Sequence, residues 1–180
     1  MSVMSRLGPK AYVDGQKGPR TRLVSMFHGE VGDSLHQYTM DEFSKHQSVI
    51  RLLISTVAFG LGVEVPDIRH VVHWGKCQNV MTFWQEIGRC GRDGQPSRAT
   101  WYPQSVCSDE KELFTKLKKD ESACVRHCIL QAFELPGVAP LPVKTKCCST
   151  QKCADCKCDY CMCCCNCKRL CGCSDGGVEL

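Results

Sequence analysis

Two groups of side chains in this sequence are of types and spacings that do chemistry. The larger is a set of thiols. The chain has 17 cysteines in 180 residues, and most of them fall between Cys147 and Cys173, where CxC and CxxC elements alternate. The first twenty residues carry Arg6, Lys10, Asp14, Lys17 and Arg20 without an apolar run, so they do not read as a secretory leader. An intracellular chain keeps its thiols reduced. Reduced cysteines at CxxC spacing are soft, anionic donors, and a zinc-thiolate site is the leading use for them. The second group is a pair of guanidinium groups, Arg89 and Arg92, within Gln85-Glu86-Ile87-Gly88-Arg89-Cys90-Gly91-Arg92-Asp93-Gly94. Taken alone, such arginines are ordinary solvated charges, and only the surrounding pattern gives them more weight.

The bulk properties set limits. A hydrophobic content of 43% and a charged content of 23% suit a soluble globule of one domain or two small ones. The net charge of +4 permits nucleic-acid binding without demanding it. The most apolar stretch, Leu52 to Val65, is interrupted by Ser55, Thr56, Gly60, Gly62 and Glu64 and is too short to span a bilayer. No membrane partner is expected.

The elements that must position these groups are legible as periodic runs. Arg22 to His28, Val49 to Thr56, Ile68 to Trp74 and Ser97 to Tyr102 read as strands, rich in branched and aromatic residues. Between the first two, Thr39 and Glu42 have capping-box spacing, and Leu35, Tyr38 and Phe43 mark one side of a helix ending near Gln47. Asn79 is placed to cap a helix with Val80, Phe83, Trp84 and Ile87 on its inner face. The order strand, helix, strand, strand, helix, strand predicts an α/β layer with a largely parallel sheet. Two helices follow, over Ser108 to Lys119 and Ser122 to Glu134. A proline-bearing linker then runs from Leu135 to Lys146, ahead of the cysteine tract and a polar tail from Ser174. This gives four regions: an irregular N-terminal segment (1–21), a partial lobe (22–106), a helical pair with the cysteine module (107–173) and the tail (174–180).

Ser55-Thr56-Val57-Ala58-Phe59-Gly60-Leu61-Gly62-Val63-Glu64-Val65-Pro66-Asp67 and the Gln85 to Gly94 stretch together resemble motifs V and VI of superfamily two helicases, and their wording is similar to the RecQ family. Phe27-His28-Gly29 resembles that family's YHAG element, and Arg69 to Trp74 its strand before motif VI. The resemblance runs over about residues 22–165. It implies a partial RecA-like lobe, the second lobe of an ATP-driven 3′–5′ DNA helicase. It implies that Arg92 first, and Arg89 second, reach the γ-phosphate of ATP where charge shifts in the transition state. Gln85 would link the motif to the nucleotide, with Gly88 beside it. Glu64 stands where the family often has Asp, near the ribose. Thr56, Gly60 and Gly62, with His28, would contact DNA phosphates, since glycine lets the backbone approach closely and a hydroxyl can bond a phosphate oxygen.

Other parts of such a motor are not encoded between residues 1 and 180. No GxxxxGK[ST] or DExH pattern occurs. The lobe's opening strand and helix also have no counterpart ahead of Phe27. ATP and Mg²⁺ are therefore expected only together with a first lobe, and the chain alone is expected to be inactive. Both a fragment and a degenerate paralogue fit that composition.

Cys124-Val125-Arg126-His127-Cys128-Ile129-Leu130-Gln131-Ala132-Phe133 resembles the helical element that carries the first zinc cysteine of RecQ proteins. The later CxxCDxC-like element is matched best by Cys156, Cys158 and Cys161, so the resemblance implies a Zn²⁺ set of Cys124, Cys156, Cys158 and Cys161, with Cys153 as substitute. Cys163, Cys164, Cys165, Cys167, Cys171 and Cys173 exceed one site and read as a second site or a loosely metal-binding tail. Three functions remain open. One is part of a nuclear DNA helicase (with the cytoplasm as second location) acting in repair and recombination on single-stranded or forked DNA, partnered by a first lobe or a repair protein. The second is a non-catalytic zinc and nucleic-acid module. The third is a metal-buffering protein.

Overall fold

The computed structural model describes residues 3–29, 31–56, 64–104, 111–139 and 163–171. The chain divides into two compact units, Met1–His73 with Gln85–Thr100 and Trp74–Trp84 with Trp101–Leu180.

The first unit opens with a short helix, α1 (Val3–Leu7), and three 3-10 turns that end in an antiparallel bridge between Tyr12 and Arg22. Leu23 N–H donates to Ala11 O at 2.9 Å and Ala11 is fully buried, so this segment is anchored at the foot of the first strand. Strands β1 (Val24–Phe27) and β2 (Leu52–Ser55) pair in parallel, Val24 opposite Leu52 and Phe27 opposite Ser55. Parallel neighbours need a crossover, and α2 (Asp33–Phe43) supplies it. The helix is pinned to β1 by two buried hydroxyls, Ser25 Oγ and Thr39 Oγ1, 3.1 Å apart.

The capping-box expectation for Thr39 and Glu42 is not met. The N-cap of α2 is Gly32, without a side-chain bond; Thr39 and Glu42 lie inside the helix and are buried. Burial gives them other partners. Thr39 bonds Ser25, while Glu42 pairs with Lys45 at 2.5 Å and accepts the Val49 N–H at 3.2 Å, which guides the chain back toward β2. The helix also stops at Phe43 rather than near Gln47.

Strands β3 (His70–Trp74) and β4 (Arg98–Tyr102) form a second pair. Arg98 N–H bonds Arg69 O at one end and Gly75 N–H bonds Tyr102 O at the other, both at 2.9 Å, so the two strands run the same way. Among the described residues the four strands make two short sheets rather than the one layer expected. Each sheet keeps an open face, with Leu52 49%, Val72 49% and Trp74 67% exposed.

In the second unit, α3 (Val80–Ile87) begins where predicted: Asn79 Oδ1 accepts the Thr82 N–H at 2.8 Å. Phe83, Trp101 and the fully buried Phe114 form an aromatic cluster with ring centres 5.5–5.6 Å apart in tilted and edge-on geometry. Phe114 comes from α4 (Lys111–Lys119). Next is α5 (Val125–Gln131), shorter than the Ser122–Glu134 helix expected; the turn before it is held by Asp120 Oδ1, which accepts from the N–H groups of Ser122 and Ala123. A last helix, α6 (Cys165–Leu170), lies inside the cysteine tract, where periodicity gave no sign of one.

Phe114→Ala should destabilise the second unit by about 3–5 kcal/mol, the usual cost of emptying a buried aromatic site. Urea unfolding followed by tryptophan fluorescence measures it, and a loss under 1 kcal/mol would show that the cluster is not its core.

Candidate nucleotide and metal sites

The arginine pair sits on the turn that follows α3. Gly91 (φ +68°) and Gly94 (φ +78°) are both left-handed, and Gly94 N–H closes the turn on Gly91 O at 3.0 Å. A side chain at Gly91 has no room: an added Cβ would fall 2.3 Å from Ser97 Oγ and 3.1 Å from Gln95 O. The turn is fixed from the segment before β3. Gly91 N–H bonds Ile68 O and Asp93 N–H bonds Pro66 O. Arg69 then grips the Asp93 carboxylate with Nη2, at 2.6 and 2.7 Å, while its Nε and Nη1 donate to Asp67 O and Pro96 O. The Arg69 hydrogen bond holds the Asp93 carboxyl below its ordinary range. The clamp is therefore intact from neutral to mildly acidic pH and is lost only as Asp93 protonates in stronger acid.

This frame leaves Arg92 exposed, and among the described residues no carboxylate lies within ion-pair distance of it. Arg89 is half-buried; burial first, and then the like charge of Arg92, pushes its guanidinium below the ordinary value, with Glu86 opposing. Two cations held close enough to repel are suited to a shared polyanion. Gln85 and Gly88 are exposed on the same helix end. Glu86 is tied instead to His73, whose Nδ1 lies 2.6 Å from Glu86 Oε2 with both side chains largely shielded. His70 Nε2 and Thr100 Oγ1 are 2.8 Å apart, so the His70 and His73 rings each have a side-chain partner inside the fold.

Of the remaining sequence-derived positions, Thr56 and His28 follow the paired ends of β2 and β1. Thr56 is exposed at the end of β2, its N–H on Phe27 O at 3.2 Å. His28 follows β1; its carbonyl accepts from Val31 N–H and sits 2.8 Å from the His36 ring nitrogen, while Phe27 stacks on the same ring at 4.3 Å. Glu64 is exposed ahead of the buried Val65. Gly60 and Gly62 lie outside the described residues. Arg69 is the residue shaping this turn that the sequence pattern does not reveal. Its partner is 24 residues away, and no local spacing rule signals such a pair.

In the second unit the sulfurs of Cys124, Cys163 and Cys167 all lie within 4.8 Å of one another, Cys124 and Cys163 at 3.6 Å. Tetrahedral zinc with bonds of about 2.3 Å needs sulfurs about 3.8 Å apart, so the set fits. Two thiols are prepared by backbone donors: Cys124 Sγ caps α5 by accepting from His127 N–H, and Cys164 Sγ caps α6 by accepting from Cys167 N–H, each at 3.4 Å. Burial, then the neighbouring Cys124 sulfur, raises the Cys163 thiol to about 11, and burial with the Cys164 and Cys124 sulfurs raises Cys167 as well. Cys156, Cys158, Cys161 and the substitute Cys153 lie outside the described residues. Cys163 and Cys167, set aside as surplus in the sequence, are the thiols found beside Cys124.

Gly91→Ala should cost at least about 1–3 kcal/mol through its left-handed backbone alone, measured by thermal unfolding; a neutral substitution would mean the turn is not held as described. Because raised thiols carry protons at neutral pH, a divalent metal must displace them. Affinity should rise with pH and protons should be released on Zn²⁺ addition; a pH-independent affinity would contradict thiol ligation.

Residues 13–94 match the helicase conserved C-terminal domain. The chain is 32% identical over 119 residues to the ATP-dependent helicase wrn-1 of Caenorhabditis elegans, covering 55% of this chain and 11% of that protein. It is 34% identical over 134 residues to the bifunctional 3′–5′ exonuclease/ATP-dependent helicase WRN of Mus musculus, covering 64% and 9%. It is 37% identical over 76 residues to the ATP-dependent DNA helicase Q4 of Homo sapiens, covering 42% and 6%. The chain thus spans about a tenth of the length of these relatives. Residues 13–94, a little under half of the chain, are thus similar to the C-terminal domain of helicases, and the chain is similar to ATP-dependent helicases of the RecQ family.

Proposed function

We propose that this chain supplies the C-terminal part of a RecQ-like ATP-dependent 3′–5′ DNA helicase, active on single-stranded or forked DNA in nuclear repair and recombination. Its nucleotide site is completed by a P-loop lobe that holds ATP and Mg²⁺. Arg92 reaches the γ-phosphate, with Arg89 beside it and Gln85 and Gly88 lining the approach. Glu64 lies toward the ribose. Thr56 and His28, with Gly60 and Gly62, meet the DNA backbone. One observation carries this reading: a glycine turn clamped by Arg69 and Asp93 that leaves the Arg92 guanidinium without a carboxylate partner among the described residues. An exposed arginine on a rigid turn, without a carboxylate partner among the described residues, is suited to a phosphate brought from another lobe.

The thiol cluster adds a structural metal. Cys124, Cys163 and Cys167 would hold Zn²⁺, with Cys164 as fourth donor, and the metal would tie α5 to α6. The thiol cluster draws on none of the residues of the arginine turn, which supports a second reading in which the isolated chain serves as a non-catalytic zinc and nucleic-acid module.

Fusing the chain behind the P-loop lobe of a RecQ-type helicase tests the first reading. Arg92→Ala should lower DNA-stimulated hydrolysis by about 10³–10⁵ with the nucleotide KM little changed. Unchanged turnover would reject the arginine assignment. Single-strand DNA binding by a fusion that never hydrolyses ATP would favour the second reading.

A further inference from the structure

We propose that Asn166 is the positioning residue of the thiol site, setting the distance between Cys124 and the thiols of α6. This inference rests on the metal reading above. Asn166 is 4% exposed, yet every part of its amide is engaged. Its Nδ2 donates to Asp120 O at 2.9 Å and to Ala123 O at 2.8 Å; its Oδ1 accepts from an Arg169 guanidinium nitrogen at 2.7 Å. Arg169 in turn reaches Glu121 at 2.5 Å. The two carbonyls belong to the turn that delivers Cys124, and Ala123 is its immediate neighbour in the chain. Asn166 itself directly precedes Cys167. One buried amide therefore spans more than forty residues of sequence and joins the backbones beside two clustered thiols.

The other side of the same turn is closed by Asp120 Oδ1 on the N–H groups of Ser122 and Ala123. The turn is thus gripped through its donors by Asp120 and through its acceptors by Asn166. Such outer contacts fix ligand orientation, and their loss typically weakens metal binding 10–100-fold. No other residue type of this size offers two donors and one acceptor in this arrangement. Aspartate has the same shape but cannot donate, so its oxygens would face two carbonyl oxygens.

That substitution separates two physical effects. A carboxylate beside a divalent cation tightens binding by charge alone, whereas loss of the amide's two donors loosens it by geometry. The test is a Co²⁺ titration of the reduced full chain, read by thiolate-to-cobalt charge-transfer and d–d absorption against a competing chelator. The wild-type chain should give a tetrahedral thiolate spectrum. Asn166→Asp should bind 10–100-fold more weakly with shifted d–d bands, and Asn166→Ser, which keeps one donor, should fall between. Near-ultraviolet circular dichroism of the Phe83–Trp101–Phe114 cluster reports whether each variant is folded. If Asn166→Asp loses that signal, Asn166→Ser decides the question alone. Equal or tighter binding by the folded variant, with an unchanged spectrum, overturns the positioning role. A wild-type chain that takes up no Co²⁺ overturns the metal reading, and this inference with it.

Discussion

The arginine site depends on one ion pair between distant points of the chain, Arg69 with Asp93. The turn from Gly91 to Gly94 has two left-handed residues and little apolar burial of its own, with Arg92, Asp93 and Gly94 all exposed. A turn of that kind does not hold its shape through packing. Its shape comes from backbone bonds to Ile68 and Pro66 and from a guanidinium whose donors are spread over the Asp93 carboxylate and two carbonyls. Exposed salt bridges usually contribute little, but a guanidinium that also ties backbone carbonyls restricts geometry more than an isolated pair does. The consequence is a division of labour among the cations. Arg69 is consumed by structure, Arg89 is half-buried, and Arg92 remains presented.

The thiol site works by an analogous rule with different chemistry. Cys124 and Cys164 each cap a short helix with sulfur, so the residues that would ligate a metal also start α5 and α6. Helices of seven and six residues are marginal without outside support. A metal bound by thiols from both would supply that support, and burial first, then the neighbouring sulfurs, holds the Cys163 and Cys167 thiols in their protonated form before a cation arrives. The arginine turn and the thiol cluster belong to different units of the chain and share no residue.

Much of this was legible in the sequence where a local rule applies. Asn79 is a cap because amide side chains at that position satisfy a free N–H, and the strand runs fall where branched residues cluster. The Gln85 to Gly94 pattern was readable as a motif before any geometry was available. What failed did so for non-local reasons. Thr39 and Glu42 have cap spacing, but Ser25, Lys45 and Val49 offer them better partners once α2 packs on β1. Arg69 gives no sign of its partner because the two are brought together only by the turn. The cysteine tract offers many equivalent pairings, and spacing alone does not single out Cys163 and Cys167 as neighbours of Cys124; Cys156, Cys158 and Cys161 lie outside the described residues. The buried Asn166 was silent because its partners are backbone carbonyls, which carry no sequence signature.

A double-mutant cycle on the fused two-lobe enzyme tests the central claim most directly, by comparing hydrolysis for Arg69→Ala, Arg92→Ala and the pair. If the clamp acts by presenting Arg92, Arg69→Ala lowers turnover on its own but adds almost nothing once Arg92 is gone. Losses that multiply would mean that Arg69 and Arg92 act independently, and the account of a clamped, outward-facing guanidinium would be wrong.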